Sequence, residues 1–324
     1  MQQGIGKNIR SLRRQRGIGQ GELAEALGVT IQAVSKWETG KANPDLFLLP
    51  RLAGYFGISI DSLFTSPAEE GKLSEATEQQ LSLNSQGWAQ ITRTGWQGTL
   101  LPDYGPFTPT EEQLHLLGDI RGKAVLEIGC GCGESLKWLQ EQGAKELWGL
   151  DISAERTAKA RELLSGSGWK GELFTSPMEV DPGLPHYYFD LVLSVYGLGW
   201  TSDLEKTLSL ISAYLKPGGR LVFSWDNPLL QCIDAREGRY TLSRSYVEER
   251  EICIEKRGCP LHLHNWKLSS YLNSLVRCGF AIEQLVEQSD YDPAQAEVFQ
   301  EGKYYSAGLA RLLNPVIILK ARRL

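Results

Sequence analysis

Hydrophobic positions in the first 64 residues recur at helical spacing. Ile5, Ile9 and Leu12 share one helical face, as do Leu23, Ala24 and Leu27, then Val34 and Trp37, then Leu49, Leu52, Ala53 and Phe56. Gly17, Gly28, Gly40 and Gly57 stand at the breaks between these stripes. The pattern predicts a compact helical unit of roughly five elements, each about 8–12 residues long. Residues 65–85 are polar, contain Pro67 and carry no sustained stripe, which marks 67–85 as a linker. From residue 120 the period changes. Short apolar runs (124–128, 146–150, 189–195, 220–225) alternate with helical stretches (134–142, 154–164, 203–215), and Pro217-Gly218-Gly219 precedes the last run. Strands separated by helices predict a parallel sheet with right-handed crossovers and helices on both faces. A late helix over 268–278 and two apolar runs, 281–286 and 315–321, read as an antiparallel pair closing one edge.

Composition changes this picture only when it is divided. The 324 residues are 23% charged and 42% hydrophobic, as in a globular protein, and their length fits two domains. The net charge of −5 conceals an asymmetry. Residues 1–66 carry eight Lys/Arg and five Asp/Glu, a net of +3, whereas the remainder carries 26 against 34, a net of −8. A basic head on an acidic body is expected where one end meets nucleic acid and the rest does not wrap it. The six cysteines form no C-x-x-C pair, and their arrangement with His262 and His264 matches no zinc spacing, so no metal is expected. No apolar run approaches a membrane span and the first ten residues lack a signal-like block, so the expected setting is the cytoplasm with reduced thiols.

Residues 19–40 place a helix, a three-residue turn at Gly28-Val29-Thr30 and a second helix in succession, a helix-turn-helix pattern. Thr30 suits the N-cap of the second helix, leaving Ile31, Gln32 and Lys36 facing outward. Ile31 can meet thymine methyls, Gln32 can pair with adenine and Lys36 can reach guanine or phosphate. Q-x-x-L-A at 20–24, V-S-K-W-E-x-G at 34–40, Pro44-Asp45 and I-S-I-D-S-L-F at 58–64 resemble the Cro/repressor (XRE) helix-turn-helix family over residues 4–64. The resemblance implies a double-stranded DNA operator bound by a homodimer. By it, Gln20 touches backbone phosphate, Thr30 opens the recognition helix that carries Ile31, Gln32 and Lys36, and Lys41 and Asn43 hold the flanking backbone.

In the second region, A-V-L-E-I-G-C-G-C-G at 124–133 is a strand ending in an acid and a Gly-x-Gly-x-Gly turn. The next strand ends at Asp151, 22 residues past Gly129, where a carboxylate can grip ribose hydroxyls. A dinucleotide fingerprint would need glycine at 134 or 136, which are Glu134 and Leu136, and Glu127 would repel a pyrophosphate. A cationic sulfonium with a free amine suits Glu127 better. Together with D-Y-G-P at 103–106, G-L-D-I-S at 149–153, F-D-L-V-L-S at 189–194 and L-K-P-G-G-R-L-V-F at 215–223, the set resembles the class I S-adenosylmethionine-dependent methyltransferases from about residue 100 onward. The implied fold is a Rossmann-like, doubly wound seven-stranded domain over 86–324. The resemblance gives Glu127, Gly129, Cys130, Gly131 and Gly133 to the methionine end, Asp151 to the ribose and Ile152 and Met178 to the adenine. Ser194 closes the methionine side, and Tyr104 lies over the cofactor. Where many family members bind the adenine amine with an acid, this chain has Ser176-Pro177, which leaves Glu179 or backbone for that task.

An Asn/Asp-Pro-Pro-aromatic motif for exocyclic amines and a Pro-Cys nucleophile are both missing, since 194–197 read S-V-Y-G. A small-molecule methyl acceptor is therefore expected, with a lid at 226–267 holding Asp226, Asn227, Tyr240, Tyr246, His262, His264 and Trp266. Tyr196, Trp200 and Trp225 would line its mouth, with His264 as base and Tyr196 positioning the acceptor. Trp88, Trp96, Tyr104 and Phe107 read as a lid or packing segment. The alternative functions are a non-catalytic regulator that senses S-adenosylmethionine or a metabolite, and, less favoured, a DNA or RNA methyltransferase.

Overall fold

A computed structural model describes residues 4–16, 18–56, 58, 60, 63–64, 73–93, 102–166 and 168–324. The chain divides into two compact units, Met1–Ser74 and Glu75–Leu324.

The first unit contains α1 (Gly4–Gln15), α2 (Gln20–Leu27), α3 (Ile31–Glu38) and α4 (Leu49–Phe56), with a 3-10 turn at Leu46–Leu48. The fifth element expected after Gly57 falls partly outside the described residues. Ile9, Leu23, Leu27, Val34, Leu52 and Phe56 close a single core, as their spacing predicts. Gly28 ends α2 in the left-handed conformation at φ +67°, and Thr30 caps α3 by accepting the Ala33 amide at 3.2 Å. The helix-turn-helix angle is thus set by two local devices. A bidentate ion pair ties α1 to α3: Arg13 donates to Glu38 at 2.6 and 2.9 Å, and Gln20 Nε2 donates to the same carboxylate at 2.8 Å.

The second unit opens with α5 (Glu75–Arg93). The expected linker is shorter here, because 75–85 belong to this helix. Leu81, Asn84, Trp88 and Ile91 recur at helical spacing and are buried. Then follow β1 (Ala124–Ile128), α6 (Glu134–Glu141), β2 (Glu146–Asp151), α7 (Ala154–Leu164), β3 (Leu173–Thr175), β4 (Phe189–Val195), α8 (Leu204–Tyr214) and β5 (Leu215–Asp226). Two hairpins come next: β6 (Ile233–Arg236) with β7 (Arg239–Leu242), and β8 (Glu251–Lys256) with β9 (Cys259–His264). The chain closes with α9 (Leu268–Arg277), β10 (Phe280–Val286) and β11 (Val316–Arg323).

Seven strands form one sheet in the order β10-β11-β5-β4-β1-β2-β3. β11 runs antiparallel to both β5 and β10, the antiparallel edge foreseen, and the other pairings are parallel. All five residues of β1 are buried, which suits a central strand covered on both faces. Pro217-Gly218-Gly219 is not a turn ahead of the strand but a register irregularity within β5. Strand order reverses between β1 and β4, and a crevice at the carboxyl ends of these strands is where an open sheet binds ligands.

Candidate functional site

A cavity of about 420 Å³ occupies that crevice. The loop after β1 forms its floor. Gly129 is at φ +74°, and a Cβ there would lie 2.9 Å from Gly197 Cα, so only glycine lets the β1 and β4 loops approach. Gly131, at φ +55°, donates its amide to Asp151 Oδ2 at 3.0 Å, and Ser153 donates its amide to Oδ1 at 2.8 Å. The acid at the end of β2 therefore holds the glycine loop from below. Burial raises the pKa of Asp151, while Arg156 and the two amides act the other way.

Of the residues expected around the cofactor, Glu127, Gly129, Cys130, Gly131, Asp151, Ile152 and Met178 line this cavity together. Three others do not. Tyr104 turns inward, fully buried, and donates to Glu111 at 2.6 Å; its neighbours Asp103, Gly105 and Pro106 face the cavity instead. Ser194 donates to the Ile128 carbonyl at 2.7 Å, stitching β4 to β1, and alternation hands the cavity position to Val195. Gly133 serves packing: a Cβ there would lie 2.9 Å from Ala160 Cβ, so its absence lets α6 settle on α7.

Glu127 and Glu179 both line the cavity, and one buried oxygen of each, Oε2, has no hydrogen-bond partner among the described residues. Burial drives the Glu127 pKa well above the usual carboxyl range; Ser135 opposes the rise, and Glu134 and Asp151 reinforce it. Glu179 Oε1 accepts from the Ser202 amide at 2.6 Å and from the Thr201 and Ser202 hydroxyls, both at 3.0 Å, which leaves Oε2 as the unpartnered oxygen. An orphaned acid beside the glycine loop fits an ammonium or sulfonium, and one beyond β3 fits an amine donor. The donor set thus suits S-adenosylmethionine.

The roof comes from Trp88, in the segment read as a lid or packing, from Lys256 within the expected lid, and from Arg156, which sequence reasoning did not assign to the site. Trp88 on α5 lies between two cations. The Arg156 guanidinium is 4.2 Å from its ring centroid and Lys256 Nζ is 5.1 Å away. Arg156 also donates to Thr92 Oγ1 at 3.0 Å. Asn84 clamps α5 to β9, donating to the His262 carbonyl and accepting the His262 amide, both at 2.7 Å. Within the expected lid, Lys256 lines the cavity and Tyr240, Tyr246, His262 and His264 do not. His264 instead stacks on Trp266, with ring centroids 3.9 Å apart, at the intermediate positions of an alternating strand. Its selection as base is corrected on that ground.

A second cluster is built around Asp226, the last residue of β5. Its Oδ1 accepts from Tyr196 at 2.9 Å and Tyr305 at 2.6 Å, and its Oδ2 accepts from Tyr304 at 3.0 Å. Tyr196 and Tyr305 both line the cavity, and Trp200 stands beside them. The Tyr304-Tyr305 pair was visible as two adjacent aromatics late in the chain, but nothing local ties it to a strand end more than 70 residues earlier.

On the first unit, Ile31 is 54% exposed and Gln32, Lys36, Lys41 and Asn43 are also exposed, whereas Val34 and Trp37 are buried. The outward row on α3 is therefore as expected. Gln20 is engaged with Glu38, so a phosphate contact would have to use its remaining amide valences.

A helix-turn-helix family model matches residues 9–63 and a methyltransferase-domain model matches residues 108–266. A protein of Haemophilus influenzae is 28% identical over 197 residues, covering 56% of this chain and 76% of that protein. An uncharacterized methyltransferase of Geobacillus kaustophilus is 34% identical, over 36% of this chain, and the chain spans 54% of its length. A prophage-derived HTH-type transcriptional regulator of Bacillus subtilis is 36% identical over 71 residues, covering 22% of this chain and 66% of the regulator. Among solved structures, an S-adenosylmethionine-dependent methyltransferase from Mesorhizobium loti superposes with a TM-score of 0.54 at 27% identity, covering 65% of this chain and 96% of that one. The chain thus joins an N-terminal helix-turn-helix domain of the Cro/repressor type to a class I S-adenosylmethionine-dependent methyltransferase domain.

Proposed function

We propose that the head binds a double-stranded DNA operator, as a homodimer, and that the second domain methylates a small molecule rather than that DNA. The observation carrying this reading is the charge of the cavity. Five acids, Asp103, Glu127, Glu134, Asp151 and Glu179, line it against two bases, Arg156 and Lys256, on a body of net −8. Such a lining welcomes a cationic cofactor and repels a phosphate backbone. The bound cofactor supplies an electrophilic methyl group on sulfur. Glu127 holds its amine, Asp151 its ribose, and Ile152, Met178 and Glu179 the adenine. Trp88 and Trp200 exclude water, and Tyr196 and Tyr305 face the acceptor, so the chain's task is alignment. Incubation with labelled S-adenosylmethionine and either a metabolite extract or duplex DNA tests this. Label in the extract is expected. Label confined to DNA overturns the reading, and cofactor binding without any transfer leaves a sensor.

Glu127 gives the cofactor a pH signature. With its pKa raised in the free protein, the carboxyl keeps its proton to higher pH than an ordinary glutamate, and a bound ammonium favours the ionised form. Binding below the raised pKa therefore releases a proton, and affinity rises with pH through it. Calorimetry in buffers of different ionisation enthalpy should detect that proton at the acid end, and Glu127→Gln should lose both the proton and the pH dependence. Unchanged affinity in Glu127→Gln removes the residue from the site.

For the head, Gln32→Ala and Lys36→Ala are each expected to weaken a selected operator by about 1–3 kcal/mol if they read bases, with a steep salt dependence in the wild type. Fluorescence anisotropy on an operator enriched from random duplexes measures this. Survival of affinity in both variants would move the reading surface off α3.

A further inference from the structure

We infer that Tyr305 and Tyr196, backed by Asp226, form a proton relay at the acceptor end of the cavity, and that the acceptor is a neutral compound methylated on a weakly acidic hydroxyl of enol or phenol type. The inference rests on the small-molecule reading above and goes on to name the acceptor atom.

The local structure is organised around these hydroxyls. Tyr196 directly follows β4 and sits at φ +52°, a left-handed conformation that costs a bulky residue free energy and that surrounding structure must enforce. Gly105 makes room for its ring: a Cβ there would lie 2.2 Å from the Tyr196 ring. Tyr305 arrives from the far end of the chain and makes a 2.6 Å hydrogen bond to the same Asp226 oxygen. A purely structural aspartate needs hydrogen-bond donors. It does not need two of them at a cavity wall, one of them held by a strained residue.

Tyr196 and Tyr305 each donate to Asp226 and also hydrogen-bond one another, so the phenol lone pairs left over are what a ligand meets. Those lone pairs accept from an O–H or N–H and repel a carboxylate. An ammonium acceptor is disfavoured by Lys256 across the cavity and by the sulfonium itself. A neutral amine needs no base before attack, whereas a hydroxyl must lose its proton as it attacks. A relay is therefore useful to a hydroxyl. In the step, the acceptor oxygen forms its bond to the methyl carbon while the carbon–sulfur bond breaks. That bond's electron pair stays on sulfur and neutralises the sulfonium. The acceptor proton passes to Tyr305 Oη as the Tyr305 proton passes to Asp226 Oδ1, and the neutral Asp226 returns it to water after product leaves. Burial holds the Asp226 pKa above its usual value although the three phenols oppose the rise, and the net rise brings it closer to that of a weakly acidic donor. Tyr305 and Tyr196 touch the acceptor; Asp226 is a positioning residue acting through them.

The test uses the full chain, labelled S-adenosylmethionine and the metabolite extract, with wild type, Tyr305→Phe, Tyr196→Phe and Asp226→Asn. Cofactor binding by calorimetry reports that each variant is folded. The wild-type product is expected to be a methyl ether, stable to mild alkali. In Tyr305→Phe and Asp226→Asn, kcat for that product should fall on the order of 100-fold with little change in KM. The wild-type rate should rise with pH as Asp226 ionises, and Asp226→Asn should lose that limb. Lys256, Arg244, Glu249 and Tyr271 also act on this cluster, and they remain in every variant. A methylamine or methyl ester product, or wild-type kcat in both Tyr305→Phe and Asp226→Asn, overturns the relay and leaves the small-molecule reading standing. Intact cofactor binding with no labelled product from wild type overturns both.

Discussion

Replacing Gly131 with arginine is expected to abolish cofactor binding, with affinity falling on the order of 100-fold or more, at least about 2.8 kcal/mol at 1.4 kcal/mol per decade. Three terms act together. Gly131 sits at φ +55°, where any other residue adds roughly 1 kcal/mol of backbone strain. A Cβ at this position has room, its nearest neighbour being Arg156 Nη1 at 3.6 Å, so the loop does not have to break. The rest of the side chain must then extend into the cavity that Gly131 lines. It brings a second guanidinium beside Arg156 and a positive charge into the place of a cationic ligand. Stability should suffer far less than affinity, a drop of a few degrees in Tm for about 1–2 kcal/mol. Calorimetric titration with S-adenosylmethionine alongside thermal unfolding separates the two effects. A variant that unfolds at nearly the wild-type temperature yet binds normally would show that the glycine loop is not the cofactor floor. Gly131→Ala, with the strain but without the bulk, should fall between.

The sheet and the floor of the site were readable because local sequence encodes them. An apolar run, a Gly-x-Gly turn and an acid at the end of the next strand belong to one βαβ unit, so spacing alone brings Gly131 and Asp151 together. Errors arose where a motif was read as a block. In D-Y-G-P the tyrosine looked like the ligand contact, yet Tyr104 is the member that turns into the core and finds Glu111. At the end of β4 the polar Ser194 drew attention, but the pleat gives the cavity to Val195 and spends the hydroxyl on the Ile128 carbonyl. Gly133 belongs to the same glycine run and answers to Ala160 instead of to a ligand.

The roof was largely illegible for a different reason. Trp88, Arg156, Lys256 and Tyr305 converge from four distant segments, and no periodicity records which of them will meet. The polar stretch taken for linker held the start of a buried stripe, Leu81 and Asn84, which Trp88 and Ile91 continue, diluted by enough Gln and Ser to hide it. His264 illustrates the opposite hazard. Its chemistry recommended it as a base, and the alternation of β9 with the stacking on Trp266 puts it outside the cavity. The buried acid at a strand end, Asp226, reads from sequence as one of the lid residues, and its three phenol partners come together only through the fold.

The second large effect is expected in the head, from Glu38→Ala. The Glu38 side chain is 2% exposed and that of Arg13 12%. Arg13 donates to it twice and Gln20 once, so one carboxylate joins α1, α2 and α3. Removing it takes away the carboxylate that a nearly buried guanidinium and an amide share, leaving Arg13 only its bond to the Ile18 carbonyl, and breaking one side of such a pair costs about 3–5 kcal/mol. A helical unit of this size has roughly 5 kcal/mol in total. The head of the full-length variant should therefore be mostly unfolded near room temperature, with operator binding lost, while S-adenosylmethionine binding persists. Circular dichroism melts should show the early transition displaced and the later one retained. The pH dependence has a defined sign. Although burial alone would raise it, the hydrogen bonds from Arg13 and Gln20 bring the Glu38 pKa below its ordinary 4.5. The pair's contribution is then complete above that value and is lost as pH falls through the lowered one, so the wild-type head should melt in acid along the same route. Should Glu38→Ala keep the early transition and bind operator normally, the ion pair is dispensable, and hydrophobic packing by Ile9, Val34 and Leu52 alone holds α3 in its reading position.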